Sequence, residues 1–302
     1  MNHKAGFVTI VGKPNAGKST LMNALIGEKL SITTNKPQTT RKKILGILSH
    51  EEYQIIFVDT PGILKPEYLL QEKMLESIFA AVKDSDINLF ILDSSEDPSG
   101  ERTFSDPNTN SVISNSSAKN ILIINKIDLM KQDEIEMLIK KFEEKKLFSN
   151  VIPISAEEKY NLESVLNSIL EILPVHPKYY PDDQLSDENE RFFVTEIIRE
   201  KIFELYREEV PYSTEVIIDE FKERETGKDY ILASIVVERE SQKPIIIGNK
   251  GEAIKRLGQI ARRAVEEFLG KEVFLELNVK VKEKWRSDKN ILRQFGYDTH
   301  HE

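Results

Sequence analysis

The stretch "GKPNAGKST", residues 12–20, lies between a short apolar run, Phe7-Val8-Thr9-Ile10-Val11, and a helix-compatible stretch, Leu21-Met22-Asn23-Ala24-Leu25-Ile26. Gly12-Lys13-Pro14-Asn15-Ala16-Gly17-Lys18-Ser19, with Thr20 behind it, has two glycines five apart followed by a lysine and a hydroxyl. This is the phosphate-loop pattern in the strand-to-helix setting that its mechanism requires. Backbone N–H groups in a tight loop, joined to the positive end of a helix dipole, surround a phosphate. Lys18 then supplies a point charge to the β and γ phosphates, and the Ser19 hydroxyl is a ligand for Mg²⁺.

Outward from this loop the same alternation continues. Ile55 to Val58, Leu89 to Leu92, Ile121 to Ile124 and Val151 to Ile154 read as buried strands, with helix-compatible segments between several of them. Such alternation predicts an α/β, doubly wound, mostly parallel sheet that binds its ligand at the carboxyl ends of the strands. Asp97 to Ser117, rich in Asp, Ser, Asn and Pro, reads as a long surface loop.

The chain has 302 residues, 39% of them hydrophobic, so two ordinary domains are expected. The absence of cysteine excludes disulfides, thiolate metal sites and thiol catalysis, and fits the cytoplasm. No N-terminal signal pattern is present, and the longest apolar runs are too short to cross a bilayer. A net charge of −9 argues against indiscriminate nucleic-acid binding, but the charge is uneven. Residues 181–240 carry 8 Lys/Arg against 18 Asp/Glu, whereas residues 241–263 carry 6 against a single acid.

A phosphate loop alone does not separate ATP from GTP. Asn125-Lys126-Ile127-Asp128 follows the strand Ile121 to Ile124, which puts an aspartate where it can accept hydrogen bonds from guanine's N1–H and exocyclic amine. Adenine would leave that carboxylate desolvated and unpaired, a mismatch that polar sites reject by about 10⁴-fold. Asp59-Thr60-Pro61-Gly62 ends the strand Ile55 to Val58, which suits an aspartate reaching Mg²⁺ through water and a glycine N–H meeting the γ-phosphate. Ser155-Ala156, after Val151 to Ile154, offers a backbone N–H for guanine O6, although Ser-Ala suits a helix start equally well. Ile63 stands where many GTPases carry a glutamine that orients the attacking water, so slow intrinsic turnover is expected.

With "QTTR" at residues 38–41 added to "GKPNAGKST", "DTPG" and "NKID", the set is similar to a translation-factor-type GTPase and resembles the Era family of bacterial GTPases. The resemblance implies that Thr40, with Thr39 as the runner-up, closes on Mg²⁺ and the γ-phosphate. The metal set is then Ser19, Thr40 and Asp59, and the catalytic set Lys18, Thr40, Asp59, Gly62 and Asn15. It also implies that Asn15 helps to place K⁺ near the phosphates.

Leu173 to Asp183 carries three prolines and reads as a linker. Beyond it the order is helix, strand, strand, helix, helix, strand: an α+β domain. Pro244 to Arg256 contains the turn Gly248-Asn249-Lys250-Gly251, of the kind with which KH modules clamp about four single-stranded nucleotides. The local positive charge, Lys250, Lys255 and Arg256 included, attracts phosphate, while Ile246, Ile247 and Ile254 are candidates for an apolar floor under bases. The last strand carries Lys280 and Lys282 on its wet face, and Lys282 joins the candidate RNA contacts. "EIIREKI", "VPYS", "VERESQKPIIIGNKG" and "VKVKEKW" resemble the C-terminal, type II KH domain of Era proteins, so the resemblance spans residues 6–297.

The resulting expectation is a P-loop GTPase domain (1–173), a linker (174–189), a type II KH RNA-binding domain (190–284) and a C-terminal helix and tail (285–302). The paired histidines of Thr299-His300-His301-Glu302 read as tail rather than metal site. The resemblance implies a monomeric GTPase that binds the 3′ end of 16S ribosomal RNA and assists assembly of the small ribosomal subunit. A cytoplasmic location with peripheral contact to the inner membrane face is implied as well. An RNA-binding adaptor with an idle nucleotide domain is disfavoured by the intact Lys18, Ser19, Asp59 and Asp128 set, and an ATP-driven enzyme by "NKID".

Overall fold

The apolar run at Phe7 belongs to β1 (Lys4–Gly12), which the phosphate loop joins to α1 (Lys18–Ile26) in a computed structural model that describes residues 3–297. The histidine-bearing tail lies outside the described residues. Two compact units are present, one reaching to Asp187 except for Tyr68–Leu70, the other made of Tyr68–Leu70 and the chain from Glu188 onward.

The first unit continues with β2 (Ile44–Ser49), β3 (Tyr53–Asp59), α2 (Leu69–Lys83), β4 (Ile87–Asp93), α3 (Glu101–Phe104), α4 (Pro107–Ser114), β5 (Lys119–Asn125), α5 (Gln132–Lys145), β6 (Asn150–Pro153) and α6 (Leu162–Ile172). The six strands run in the order β2-β3-β1-β4-β5-β6. All neighbours pair in parallel except β2 with β3. Strand order reverses beside β1, the switch point at which open α/β sheets bind ligands. In register, Ile10 pairs with Asp59, Gly12 with Ile91 and Asp93 with Asn125, so the chemically marked strand ends share one edge.

Two expectations for this unit fail. The stretch Asp97 to Ser117 is not a loop but carries α3 and α4. Asp106 caps α4 by accepting from the Thr109 amide at 3.0 Å, Pro107 opens its first turn, and Val112 and Ile113 are buried. Polar composition hid a helix that needs only two apolar side chains.

The proline-rich stretch expected to be a linker is bound to the first unit instead. Ala5 N–H donates to Pro174 O at 3.1 Å, Ile47 N–H to Leu185 O at 2.8 Å, and Ser186 Oγ to Leu45 O at 2.7 Å. Gln54, fully buried, accepts from the Tyr179 and Tyr180 amides at 2.8 and 3.0 Å and donates to Tyr180 O at 2.8 Å. Prolines stop helices, but they leave carbonyls for such pairing. The strap also covers part of the open edge of β2, an edge strand absent from the sequence reading.

The second unit begins with α7 (Glu190–Leu205), whose Asn189 cap accepts from the Phe192 amide at 3.0 Å. Then come β7 (Thr214–Lys222), β8 (Asp229–Val237), α8 (Lys243–Ile247), α9 (Glu252–Leu269) and β9 (Val273–Val281). The three strands form a sheet in sequence order, β7 antiparallel and β9 parallel to β8. Val194, Ile198 and Ile202 of α7 and Leu257, Ala261 and Val265 of α9 pack with alternate residues of β8 in one core. Phe268, in the last turn of α9, is 40% exposed. The chain ends its described course in α10 (Lys289–Gln294), and Trp285 before it is fully buried with Nε1–H donating to Ser213 O at 2.9 Å. Among the described residues no helix is long and apolar enough to cross a membrane.

Candidate functional site

The phosphate loop leaves β1 at Gly12 and enters α1 through Gly17, whose φ of 96° only glycine adopts without strain. Lys18 bends back over the loop, with Nζ donating to Lys13 O at 2.9 Å and Gly12 O at 3.2 Å. Burial lowers its ammonium to about 8, with the nearby Asp59 charge opposing. Burial likewise raises the Asp59 carboxyl, against hydrogen bonds from Ser19 and Thr40 and the Lys18 charge. The pocket thus holds a desolvated cation and anion, the electrostatic condition of a site awaiting charged ligands.

Three side-chain oxygens converge beside Lys18. Ser19 Oγ lies 2.6 Å from Asp59 Oδ2 and 2.9 Å from Thr40 Oγ1, and Thr40 Oγ1 is 3.4 Å from the same carboxylate oxygen. Asp59 Oδ1 is buried with no hydrogen-bond partner among the described residues. This all-oxygen donor set with an orphaned carboxylate oxygen fits Mg²⁺. Thr40, rather than Thr39, reaches the cluster: Thr39 Oγ1 meets Thr34 Oγ1 at 2.6 Å and donates to Lys36 O at 2.7 Å. Gly62 comes so close to the loop that a Cβ there would lie 2.7 Å from Pro14 N, so its backbone packs against the phosphate loop as only glycine can.

At the far end of the cleft, Asn125 Nδ2 donates to Ala16 O at 2.8 Å and its Oδ1 accepts from Ala156 N–H at 2.9 Å. One buried amide therefore fixes the phosphate loop to the loop after β6. The Ser155-Ala156 expectation changes accordingly. Ala156 N–H is spent on Asn125 and Ser155 N–H on Tyr160 O, so neither is left to meet guanine O6. Asp128 is exposed and lines the cleft, and Lys126 Nζ is paired with Asp93 Oδ2 at 2.5 Å.

The cleft is about 600 Å³ and takes in Pro14, Asn15, Gly17, Lys18, Ser19, Thr20, Thr40, Gly62, Asn125, Lys126, Asp128, Ser155 and Ala156. Others act from behind it: Thr60 Oγ1 donates to Ile10 O at 2.7 Å, Ile127 N–H to Ile154 O at 3.3 Å, and Lys13 Nζ points away to Arg102 O at 3.0 Å. Ile63 is buried in the sheet core. The sequence reading missed Asp93, although an aspartate ending an apolar strand, "LFILD", was a visible signal. It also missed the cleft residues Asn35, Lys36 and Gln38, whose segment has no period.

In the second unit, Gly248 has φ 74° and ψ 177°, and a Cβ there would come within 2.5 Å of the Ala253 Cβ. With Lys250 at φ 49° and Gly251 at φ 81°, the turn holds its backbone outward between α8 and α9. Asn249, Lys250, Lys255 and Arg256 are exposed, while Ile247 and Ile254 are half-buried. Ile246 is a correction: it is fully buried in the core, and its carbonyl accepts from Tyr206 Oη at 2.8 Å, so it forms no floor under bases. The neighbouring Ile245, 48% exposed, takes the outward position, because one turn of α8 can bury only one of its consecutive isoleucines fully. Lys282 turns to the C-terminal segment, donating to Gln294 Oε1 at 3.3 Å with Nζ 5.0 Å from the Phe295 ring centre.

Fold and cleft together define a phosphate-loop GTPase joined to a KH-type domain. Residues 7–126 match the family described as 50S ribosome-binding GTPase, and residues 209–286 match the KH domain family. The GTPase Era of a Geobacter species is 44% identical over 295 residues, 98% of each chain, and that of Thermoanaerobacter pseudethanolicus is 45% identical over 300 residues, 98% of this chain and 97% of its own. Two solved structures match at 39% identity. An Aquifex aeolicus Era variant bound to GDP and AlF4⁻ gives a TM-score of 0.90 over 97% of this chain and 99% of its own. Era in complex with MgGDPNP and nucleotides 1506–1542 of 16S ribosomal RNA gives 0.91 over 98% and 99%. The chain belongs to the GTPase Era family and is a GTPase.

Replacing Asn125 by alanine removes two neutral hydrogen bonds of about 0.5–1.5 kcal/mol each and frees both loops. Fluorescent-GDP titration of Asn125→Ala is expected to show binding weakened about 10- to 100-fold, with the secondary structure unchanged by circular dichroism.

Proposed function

We propose that this protein is a GTP-operated RNA binder that engages the 3′ end of 16S ribosomal RNA through the Gly248–Gly251 turn and assists maturation of the small ribosomal subunit. The observation that carries the first half is the meeting of Lys18, Ser19, Thr40, Asp59 and Asp128 at one cleft. The second half is supported by the RNA-bound Era relative, whose nucleotides are small-subunit RNA, and by the exposed basic turn. On family grounds the reading includes a monomer in the cytoplasm with peripheral contact to the inner membrane face.

In this reading the triphosphate lies along the phosphate loop, and Lys18 regains full charge as it pairs with the β and γ oxygens. Ser19, Thr40 and Asp59 hold Mg²⁺, which when bound neutralises phosphate oxygens and so eases departure of GDP. Gly62 offers its N–H to the γ-phosphate, and Asp128 accepts from the guanine edge. Loss of the γ-phosphate removes the ligand that draws Thr40 and Gly62 inward, which ends the RNA-competent state. Asn15, at φ 62° with Nδ2 donating to Asn35 O at 3.1 Å, bridges the phosphate loop and the segment bearing Thr40. Its amide is the group assigned to K⁺ placement.

Two measurements test this. Affinity for a fluorescent RNA of the small-subunit 3′ end, taken with GDPNP, with GDP and without nucleotide, is expected to be highest with GDPNP, and Lys250→Glu is expected to lower it roughly tenfold in every state. Equal affinities in all three states contradict the coupling. GTP turnover in matched KCl and NaCl is expected to be faster in KCl, and equal rates remove the role given to Asn15.

A further inference from the structure

The turn Gly248–Gly251 needs outside support. Gly248, Lys250 and Gly251 have φ of 74°, 49° and 81°, and Lys250 adopts the left-handed region without glycine's freedom. A backbone of this kind persists only where the flanking structure imposes it. On the exit side α9 does so, with 18 residues and a buried face of Leu257, Ala261 and Val265. On the entry side stands α8, five residues long and far below the length at which a helix holds itself in water.

Two buried side chains fix α8. Ahead of it Gln242, 1% exposed, accepts from the Glu238 and Arg239 amides at 3.0 and 2.9 Å. At its end the last carbonyls have no donor within the helix. Gly248 N–H meets Pro244 O at 2.8 Å, and Tyr206 Oη donates to Ile246 O at 2.8 Å, across 40 residues of chain. Tyr206 closes α7 through its own N–H to Ile202 O at 3.0 Å, and its ring shares the core with Ile246. Burial raises its phenol to about 12, so the hydroxyl stays a donor throughout the neutral range. The carbonyl it holds lies two residues before Gly248, so the end of α7 sets where the turn begins.

We propose that Tyr206 is a positioning residue for RNA binding: its hydroxyl fixes the end of α8 and thereby holds Gly248–Gly251 in the form that an RNA backbone meets. Tyr206 itself is 8% exposed and acts only through the turn. The proposal rests on the reading of that turn as the RNA clamp.

The test uses the full chain and Tyr206→Phe, which keeps the ring and removes the hydroxyl. With GDPNP bound, affinity for the fluorescent small-subunit 3′-end RNA is expected to fall about fivefold, the contribution of one neutral buried hydrogen bond, while fluorescent-GDP affinity stays within about twofold. Without RNA, amide hydrogen exchange across residues 248–251 is expected to quicken at least about threefold. In a Lys250→Ala background the same change is expected to weaken RNA binding by less than about twofold, because both substitutions act on one turn. Equal losses in the two backgrounds overturn the proposal, since the hydroxyl would then act independently of the turn. Unchanged RNA affinity also overturns it, whatever the exchange rates, and leaves the clamp reading intact if Lys250→Ala still weakens binding. A parent chain whose RNA affinity ignores Lys250→Ala overturns both.

Discussion

The structure turns on one electrostatic arrangement: Lys18 and Asp59, both desolvated, lie beside the phosphate loop at the carboxyl edge of the sheet. Neither charge is well solvated by the protein alone, as the lowered ammonium and the raised carboxyl indicate. A triphosphate with its metal ion resolves both at once, giving Lys18 its counter-charge and Asp59 a cation to face. Ligand binding energy is thereby built into the folded chain.

The sheet order puts this arrangement where it can work. The ends of β1, β3 and β5 are brought to one edge by parallel pairing, and Asn125 ties the phosphate loop to the loop after β6. The segment bearing Thr40 is organised by its own hydroxyls, Thr34 to Thr39 and Thr39 to Lys36 O, and is pinned at its start by Asn23, which accepts from the Leu30 and Ser31 amides at 3.0 Å each. A strand edge and a proline-rich strap then hold the segment's other side, with Gln54 as the buried joint. Hydrogen-bonded contacts thus bound the switch at both ends.

Much of this was legible beforehand because the phosphate loop, "DTPG" and "NKID" each follow a strong apolar run, and parallel sheets bury such runs on both faces. The glycine turn was legible as well, because a steric need for glycine leaves a trace in the letters. What was not legible depends on partners distant in sequence. Ile245, Ile246 and Ile247 are identical letters, and only the packing of α8 against Tyr206 decides which one is buried. The strap at residues 174–187 looked like free chain because its backbone groups, not its side chains, do most of the pairing. The amide of Ala156 could not be known to serve Asn125 until both loops were placed.

The central claim is that a single carboxylate, Asp128, selects guanine over adenine in a cleft whose phosphate contacts are indifferent to the base. Competition of GTP, ATP and xanthosine triphosphate for one fluorescent nucleotide, in the parent chain and in Asp128→Asn, measures this directly. The account predicts GTP ahead of ATP by about 10⁴-fold in the parent and a transfer of preference toward xanthosine triphosphate in the variant. Equal competition by GTP and ATP in the parent chain would contradict it.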